Sequence, residues 1–385
     1  MGQYWRVYSP SASKAAGTNI GKLGESLFDG WPRSLVPRFA VPVLQSDSDQ
    51  GPDAALHEEQ AKRQGSLLSA DSQSAESKAY DLNDRSAEHQ RSQEHQAKAG
   101  PPIFSSLPVE LHDLIFEELD IEDILSLSLT NLHLWEIGQR HIHSFFMSFI
   151  GPWAGESVIC VGDYLMKGDY PPGRLTEAEK EEMYEIAGKY RNNHGRDELM
   201  SLHKFLVNGC RGSYPYVEFP EYLLGRVVSS KRYNYYGLPK HLRDQIVNAL
   251  TPEISQFFPE NQPWILRNLS TREYVCSEAI ALKPEYIHGP NIDYFGFGEV
   301  ILSRICWSSD PSVSTPYKGG IHRGVWAGHR FDITTLARHE QGQGKELWVD
   351  VSEEVAEEIE AIWEAEYGSD WREVIVESAN NIGFM

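Results

Sequence analysis

The chain has 385 residues, with 56 acidic against 35 basic side chains and a formal net charge of −21. Such acidity argues against a nucleic-acid surface, which needs clustered lysine and arginine, and against adhesion to polyanions or membranes. The length predicts two or three structural units with at least one sizeable core.

The N-terminus, Met1-Gly2-Gln3-Tyr4-Trp5-Arg6, lacks the charged-then-apolar layout of a signal peptide, and no later run is apolar for long enough to span a bilayer. Gly2 is outweighed as an acylation site by Tyr4-Trp5-Arg6-Val7, which reads as a strand, and no second membrane signal accompanies it. Residues 3–8 are rich in aromatic and branched side chains and predict that strand. Leu23, Leu27 and Phe28 then share one side of a short helix, followed by Leu35-Val36-Pro37. Residues 1–45 cannot bury themselves and are expected to pack on a later domain. Residues 46–102 are dominated by Ser, Gln, Ala, Asp, Glu and His. Such a chain cannot offset its conformational entropy by burial, so a disordered polar linker is expected.

Residues 103–150 read as three short helices. Ser105 and Ser106 offer capping hydroxyls, Leu107-Pro108 opens the first helix with its ring angle preset, and Glu110 sits in the acid-favouring first turn. Leu111, Leu114, Ile115 and Leu119, with Phe116 beside them, recur at three- and four-residue steps. Asp120 is placed to cap a second helix carrying Ile121, Ile124, Leu125 and Leu129. Asn131 is placed to cap a third, with Leu132, Trp135, Ile142 and Phe146 inside. A bundle of about fifty residues buries little surface alone and wants a partner.

Residues 151–385 read as a larger mixed domain. Gly151-Pro152 marks its start, a strand is expected within Trp153–Leu165, and Asp169-Tyr170-Pro171-Pro172-Gly173 is turn chemistry. Thr176 is placed to cap a helix from Glu177 onward, and Leu199 to Leu206 predicts another. Residues 214–237, rich in tyrosine, read as short strands and loops, and Leu238 to Leu250 as an amphipathic helix. Trp264–Asn268 and Glu273–Cys276 predict a hairpin. Ile321 to Ile333 and Leu347 to Val351 are strand-like, Ser352 opens an acidic helix with Val355, Ile359, Ile362 and Trp363 inside, and Trp371 to Ile375 is a last short segment. The fold class is α+β.

The pattern Leu107-Pro108-x-Glu110-Leu111, Ile115-Phe116, Leu119, Asp123-Ile124-Leu125 and Leu127, with the later Trp135, resembles the F-box. That resemblance implies a small three-helix bundle that docks on a Skp-type adaptor and, through it, on the cullin of a cullin-RING ubiquitin ligase. The adaptor-binding surface expected on this basis is Leu107, Pro108, Leu111, Ile124 and Leu125, while Ile115, Leu119 and Leu129 hold the bundle together. Gln3–Val7, Gly21–Glu25, Trp135–Gly138, Cys160–Leu165, Trp264–Leu269 and Trp326–Ile333 are further similar to a group of fungal F-box proteins. The likeness covers most of the chain except 46–100 and implies an architecture but no substrate.

Motifs for chemistry are sparse. Gly296-Phe297-Gly298 begins like a dinucleotide loop but lacks its third glycine, and no phosphate loop or Gly-x-Ser-x-Gly elbow occurs. His141 and His143 point in different directions on a helix, which is poor metal geometry. Asp163 and Asp169 flank a turn, where capping is a commoner role than cation binding. Cys160, Cys210, Cys276 and Cys306 lie far apart, against a disulfide framework or zinc knuckle and in favour of a reducing cytoplasmic or nuclear setting. Cys160 and Cys306 sit among apolar neighbours, as inert buried thiols do. No catalytic residue, metal or cofactor is therefore expected. The expectation is a non-catalytic substrate-recognition subunit with an adaptor, a cullin and an unidentified target protein as partners, and no nucleic acid or membrane. An adaptor-binding scaffold or regulator that delivers no substrate is one alternative, and an enzyme domain that carries a helical interaction module, against which the absent catalytic motifs speak, is the other.

Overall fold

The computed structural model of the protein describes residues 2–17, 20–43, 104, 107–173, 181, 185, 201–213, 222–229, 235–342 and 347–382. The expected linker at 46–102 and the helix expected after Thr176 lie outside the described residues, apart from Glu181 and Glu185, which are helical.

In chain order the elements are β1 (Trp5–Ser9), β2 (Lys14–Ala16), α1 (Leu23–Phe28), α2 (Val36–Phe39), α3 (Val109–Glu117), α4 (Ile121–Ser128) and α5 (Leu132–Met147). Then come β3 (Ile159–Gly162), α6 (Leu202–Gly209), β4 (Arg211–Ser213), α7 (Tyr222–Ser229), α8 (Lys240–Leu250), β5 (Trp264–Asn268), β6 (Glu273–Cys276) and α9 (Ser277–Ile280). The last are β7 (Ile287–His288), β8 (Asn291–Ile292), α10 (Phe297–Arg304), β9 (Cys306–Trp307), β10 (Phe331–Thr335), α11 (Leu336–Gly342), β11 (Val349–Asp350), α12 (Ser352–Tyr367) and α13 (Trp371–Ile382). The fold is α+β.

These elements form two compact units that interleave in sequence: residues 1–43, 147–219 and 253–385 in one, residues 44–146 and 220–252 in the other. The first unit is mixed. Its larger sheet runs β4-β2-β1-β3-β9 and a second runs β10-β5-β6-β11. Strand β1 is central because Trp5, Val7 and Tyr8 are fully buried, and it pairs antiparallel with β3, Val7 opposite Cys160. The N-terminal segment is thus part of this unit's sheet. Strand β3 is shorter than the sequence suggests. Turns occupy Pro152–Gly155, and Gly155 takes a left-handed φ of 80°, so extended pairing starts only at Ile159.

The β5–β6 hairpin forms as expected, Leu266 opposite Val275. Of the strand-like run before Ile333, only the end from Phe331 enters the sheet, pairing with β5. The earlier part instead makes close backbone contacts: Trp326 donates from its backbone N–H to the Arg304 carbonyl at 2.8 Å.

Asp169 is satisfied by protein groups. It accepts two hydrogen bonds from Arg323 at 2.6 and 2.7 Å, one from the Trp307 indole at 3.2 Å, and one from Ser309 Oγ. The Arg323 guanidinium also lies 4.6 Å over the Trp307 ring. The Arg323 hydrogen bonds, with those of Ser309 and Trp307, hold the Asp169 carboxyl below the usual carboxylate range despite partial burial. Cys160 and Cys306 face each other in register on β3 and β9, both fully buried, and burial pushes the Cys306 thiol well up. Trp5, Trp153, Trp264, Trp307 and Trp326 are buried in the core. Among the described residues, no helix is long and apolar enough to cross a membrane.

Candidate functional site

The candidate site lies on the second, helical unit. Helix α3 starts at Val109, with Pro108 as its extended N-cap (φ −56°, ψ 149°), so the proline precedes the first helical residue rather than filling it. Ser105 and Ser106 lie outside the described residues. Inside, Phe116 and His112 are fully buried, and His112 Nε2 donates to the Phe104 carbonyl at 2.8 Å. His141 of α5 stacks on Phe116 with ring centroids 5.1 Å apart and also meets Asp113 at 3.0 Å. Arg140 reaches the same carboxylate at 3.1 Å. Asp113 therefore ties α3 to α5.

The next two helices begin where their sequences direct. Asp120 Oδ1 accepts from the backbone N–H groups of Glu122 (3.0 Å) and Asp123 (2.9 Å), and Asn131 Oδ1 accepts from that of Leu134 (3.0 Å). Helix α5 approaches α4 closely because Gly138 faces Ser128. A Cβ at Gly138 would stand 1.8 Å from Ser128 Oγ and 2.7 Å from Ser128 Cβ. Ser128 is itself held by donating to the Ile124 carbonyl at 2.6 Å. Gly138→Ala should therefore destabilise this unit by about 2 kcal/mol net, overpacking outweighing the gain in helix propensity. Adding Ser128→Gly should restore part of that loss in urea titrations. Equal stability of Gly138→Ala and wild type would show that the two helices do not depend on this approach.

Two further helices complete the unit. Residues 214–237 read as strands and loops in the sequence, yet Tyr222–Ser229 is α7, because Leu223 and Val227, four residues apart, bury one face. Helix α8 buries Ile246 and Leu250, and Gln245 accepts from the Trp135 indole at 3.3 Å. Arg226 of α7 pairs with Glu122 of α4. Residues 220–252 thus group with the three helices rather than with the rest of 151–385. The physical reason is the shortage of burial in a three-helix bundle, which α7 and α8 relieve from within the chain.

This packing sorts the expected adaptor surface. Pro108 is exposed, Leu111 is 45% exposed and Leu107 is half-buried. Ile124 and Leu125 are buried, at 7% and 3% exposure, and are withdrawn from that surface. Both share the face of α4 that carries Ser128, three and four residues on, and Ser128 packs against Gly138 of α5. Ile115, Leu119 and Leu129, expected to hold the bundle together, are only half-buried; Phe116, His112 and Ile142 fill its centre. Val109 (43% exposed) and Leu114 (59%) are exposed apolar residues outside the expected surface, and Leu132, expected inside the third helix, is 58% exposed because it stands at that helix's first position. A signal existed: His112 and Phe116 are one pair at helical spacing, and Leu111 and Leu114 are another. The apolar stripe of α3 is wide enough for an inner and an outer face.

Compared with protein families, curated proteins and solved structures, the chain matches none. Among the described residues, no three His, Cys, Asp or Glu side chains group as metal ligands. His143 is half-buried, and that burial lowers its pKa. What the helical unit offers is an apolar strip along the start of α3, made by Pro108, Leu111 and Leu114 at three-residue steps. Adjacent exposed apolar side chains of this kind mark docking surfaces more often than isolated ones do.

Proposed function

We propose that the helical unit is an adaptor-docking module of F-box type and that the mixed unit holds a target protein. The chain would then be a non-catalytic substrate-recognition subunit of an SCF-type, cullin-RING ubiquitin ligase, working in the cytoplasm or nucleus. The observation that carries this reading is the exposed strip Pro108, Leu111 and Leu114, spaced three residues apart along the start of a helix whose other side is anchored by Phe116 and His112. A helix buried on one side and apolar on the other is built to be covered by a partner. The Skp-type adaptor would supply that cover, and a cullin would follow through it. Ubiquitin transfer would gain from proximity alone, the receptor holding a target lysine near a conjugating enzyme carried by other subunits.

The test is capture of the full chain by a purified Skp-type adaptor, beside the double variant Leu111→Asp, Leu114→Asp. Both side chains are exposed, so the fold should persist, checked by circular dichroism. Capture should weaken by tenfold or more, roughly 1.4 kcal/mol or above. Undiminished capture by the folded double variant, or no capture by wild type, would overturn the proposal. Reconstituted ubiquitylation of a captured target would then separate a substrate receptor from a scaffold.

A further inference from the structure

The docking strip of α3 is bordered by acids. Counted around the helix at about 100° per residue, Glu118 falls between Leu111 and Leu114, and Glu110 and Glu117 lie together just past Leu114. The buried His112 and Phe116 fall on the other side. All three glutamates are exposed. Glu110 stands one turn before Leu114, and Glu117 and Glu118 one turn beyond it, so this leucine has carboxylates in both directions along the helix.

These charges are not neutralised within the unit as described. Residues 107–131 contain no lysine or arginine. The basic side chains that reach this stretch serve other acids: Arg140 pairs with Asp113 at 3.1 Å, and Arg226 with Glu122. Glu110, Glu117 and Glu118 have no ion pair among the described residues. Glu110, in the first turn, suits the helix dipole. Glu117 and Glu118 close α3, where the dipole favours a cation, and the last turn of the helix has no basic residue. Two adjacent glutamates there oppose the dipole and repel each other.

We propose that the adaptor surface covering Leu111 and Leu114 carries lysine or arginine side chains set against Glu117 and Glu118, so that charge pairing selects the partner that apolar contact holds. The inference rests on α3 being the docking face and names the chemistry that its partner must present there. A cation at this end of α3 relieves both the repulsion and the opposition to the dipole, and that relief comes only with the complex. A second copy of this chain offers the wrong charge, because its own strip carries the same glutamates in a molecule of net charge −21. An acidic partner surface would meet repulsion at the same place.

The double variant Glu117→Lys, Glu118→Lys of the full chain tests it, because stability and binding should move in opposite directions. Lysine at the end of a helix suits the dipole, so the variant should unfold in urea no earlier than wild type. Its capture by the purified Skp-type adaptor should nevertheless be at least about tenfold weaker. Capture of wild type should weaken as salt rises from about 0.05 to about 0.5 M, and that of the variant should strengthen, since salt screens attraction in one and repulsion in the other. Should the lysine pair disturb the fold, Glu117→Gln, Glu118→Gln carries the test through loss of the salt dependence. Equal or tighter capture of the folded lysine variant at low salt would overturn the proposal, and so would salt dependence retained by the glutamine variant. In either case, a loss of capture with Leu111→Asp, Leu114→Asp would leave α3 as the docking face. No capture of wild type would overturn both readings. Self-association of the chain that Leu111→Asp, Leu114→Asp abolishes would assign the strip to a second copy and overturn this proposal.

Discussion

Gly298→Ala should destabilise the mixed unit by about 2 kcal/mol or more, although propensity alone predicts the opposite. Alanine is the better helix former by about 1 kcal/mol, and Gly298 lies within helix α10. The helix, however, is buried along its whole length. A Cβ at Gly298 would stand 2.0 Å from the Pro32 carbonyl oxygen, 2.5 Å from its carbon and 3.0 Å from the Arg33 nitrogen. All three are backbone atoms, so no flexible side chain can yield, and the turn at Trp31–Leu35 or the helix itself must move. Overpacking costs about 1–3 kcal/mol and occasionally more, and a backbone clash belongs at the upper end. Gly225 of α7 supplies the control: nothing lies within 4 Å of its would-be Cβ, so alanine there should stabilise by up to about 1 kcal/mol. Urea titrations of both variants check the pair. Stabilisation by Gly298→Ala would show that α10 does not need its close approach to Pro32.

Glu299→Gln, at the next position, should remove a pH dependence from stability and raise stability above neutral pH. Glu299 is 2% exposed, and its Oε2 accepts from the Gly296 N–H at 3.0 Å, closing the N-terminus of α10. Burial pushes its carboxyl up to about 7, against hydrogen bonding and the charge of Arg33, which pull it down. The folded chain therefore holds a proton that the unfolded chain releases near pH 4.5. The folded state binds more protons across that interval, so this group's contribution falls as pH rises from about 4.5 to about 7 and is flat above. Asp169 acts in the opposite sense. Its carboxyl is held low by Arg323, so the stability it adds is present above the ordinary carboxylate range and is lost as pH falls through its folded pKa. Glutamine keeps an oxygen for the Gly296 N–H and discards the charge. The variant should match wild type near pH 4 and exceed it at pH 8 by on the order of 3 kcal/mol. Parallel pH profiles of wild type and variant would show that Glu299 titrates as an ordinary carboxyl.

Elements with chemical punctuation were legible in the sequence. Asp120 and Asn131 cap the helices they were expected to cap, and the Trp264–Cys276 hairpin forms in the expected place. The helix from Ser352 runs to Tyr367 with Val355, Ile359, Ile362 and Trp363 inside. What escaped were choices that distant chain decides. Helix α7 carries the Leu223/Val227 spacing, but among so many tyrosines the apolar pattern did not separate helix from strand. Trp326 and Gly328 look like strand residues, yet the run from Gly324 follows the Arg304 backbone instead, and a Cβ at Gly324 would stand 2.2 Å from the Arg304 carbonyl. The docking strip was half-legible for a related reason. Periodicity finds apolar faces but does not say which is covered, and Ile124 and Leu125 share the face of α4 whose Ser128 packs against Gly138 of α5.

The central position of β1 bears on how the protein is made. Trp5, Val7 and Tyr8 leave the ribosome early, but the strand that flanks them on one side, from Ile159, and the one beyond it, from Cys306, are synthesised much later. Until then an aromatic strand has only the short β2 beside it and its other edge stays open, a state that invites aggregation and the attention of chaperones. The same order makes the N-terminus a poor place to shorten the protein. Removing the first forty residues would take the middle out of the larger sheet and leave the edge of β3 open along Ile159–Gly162.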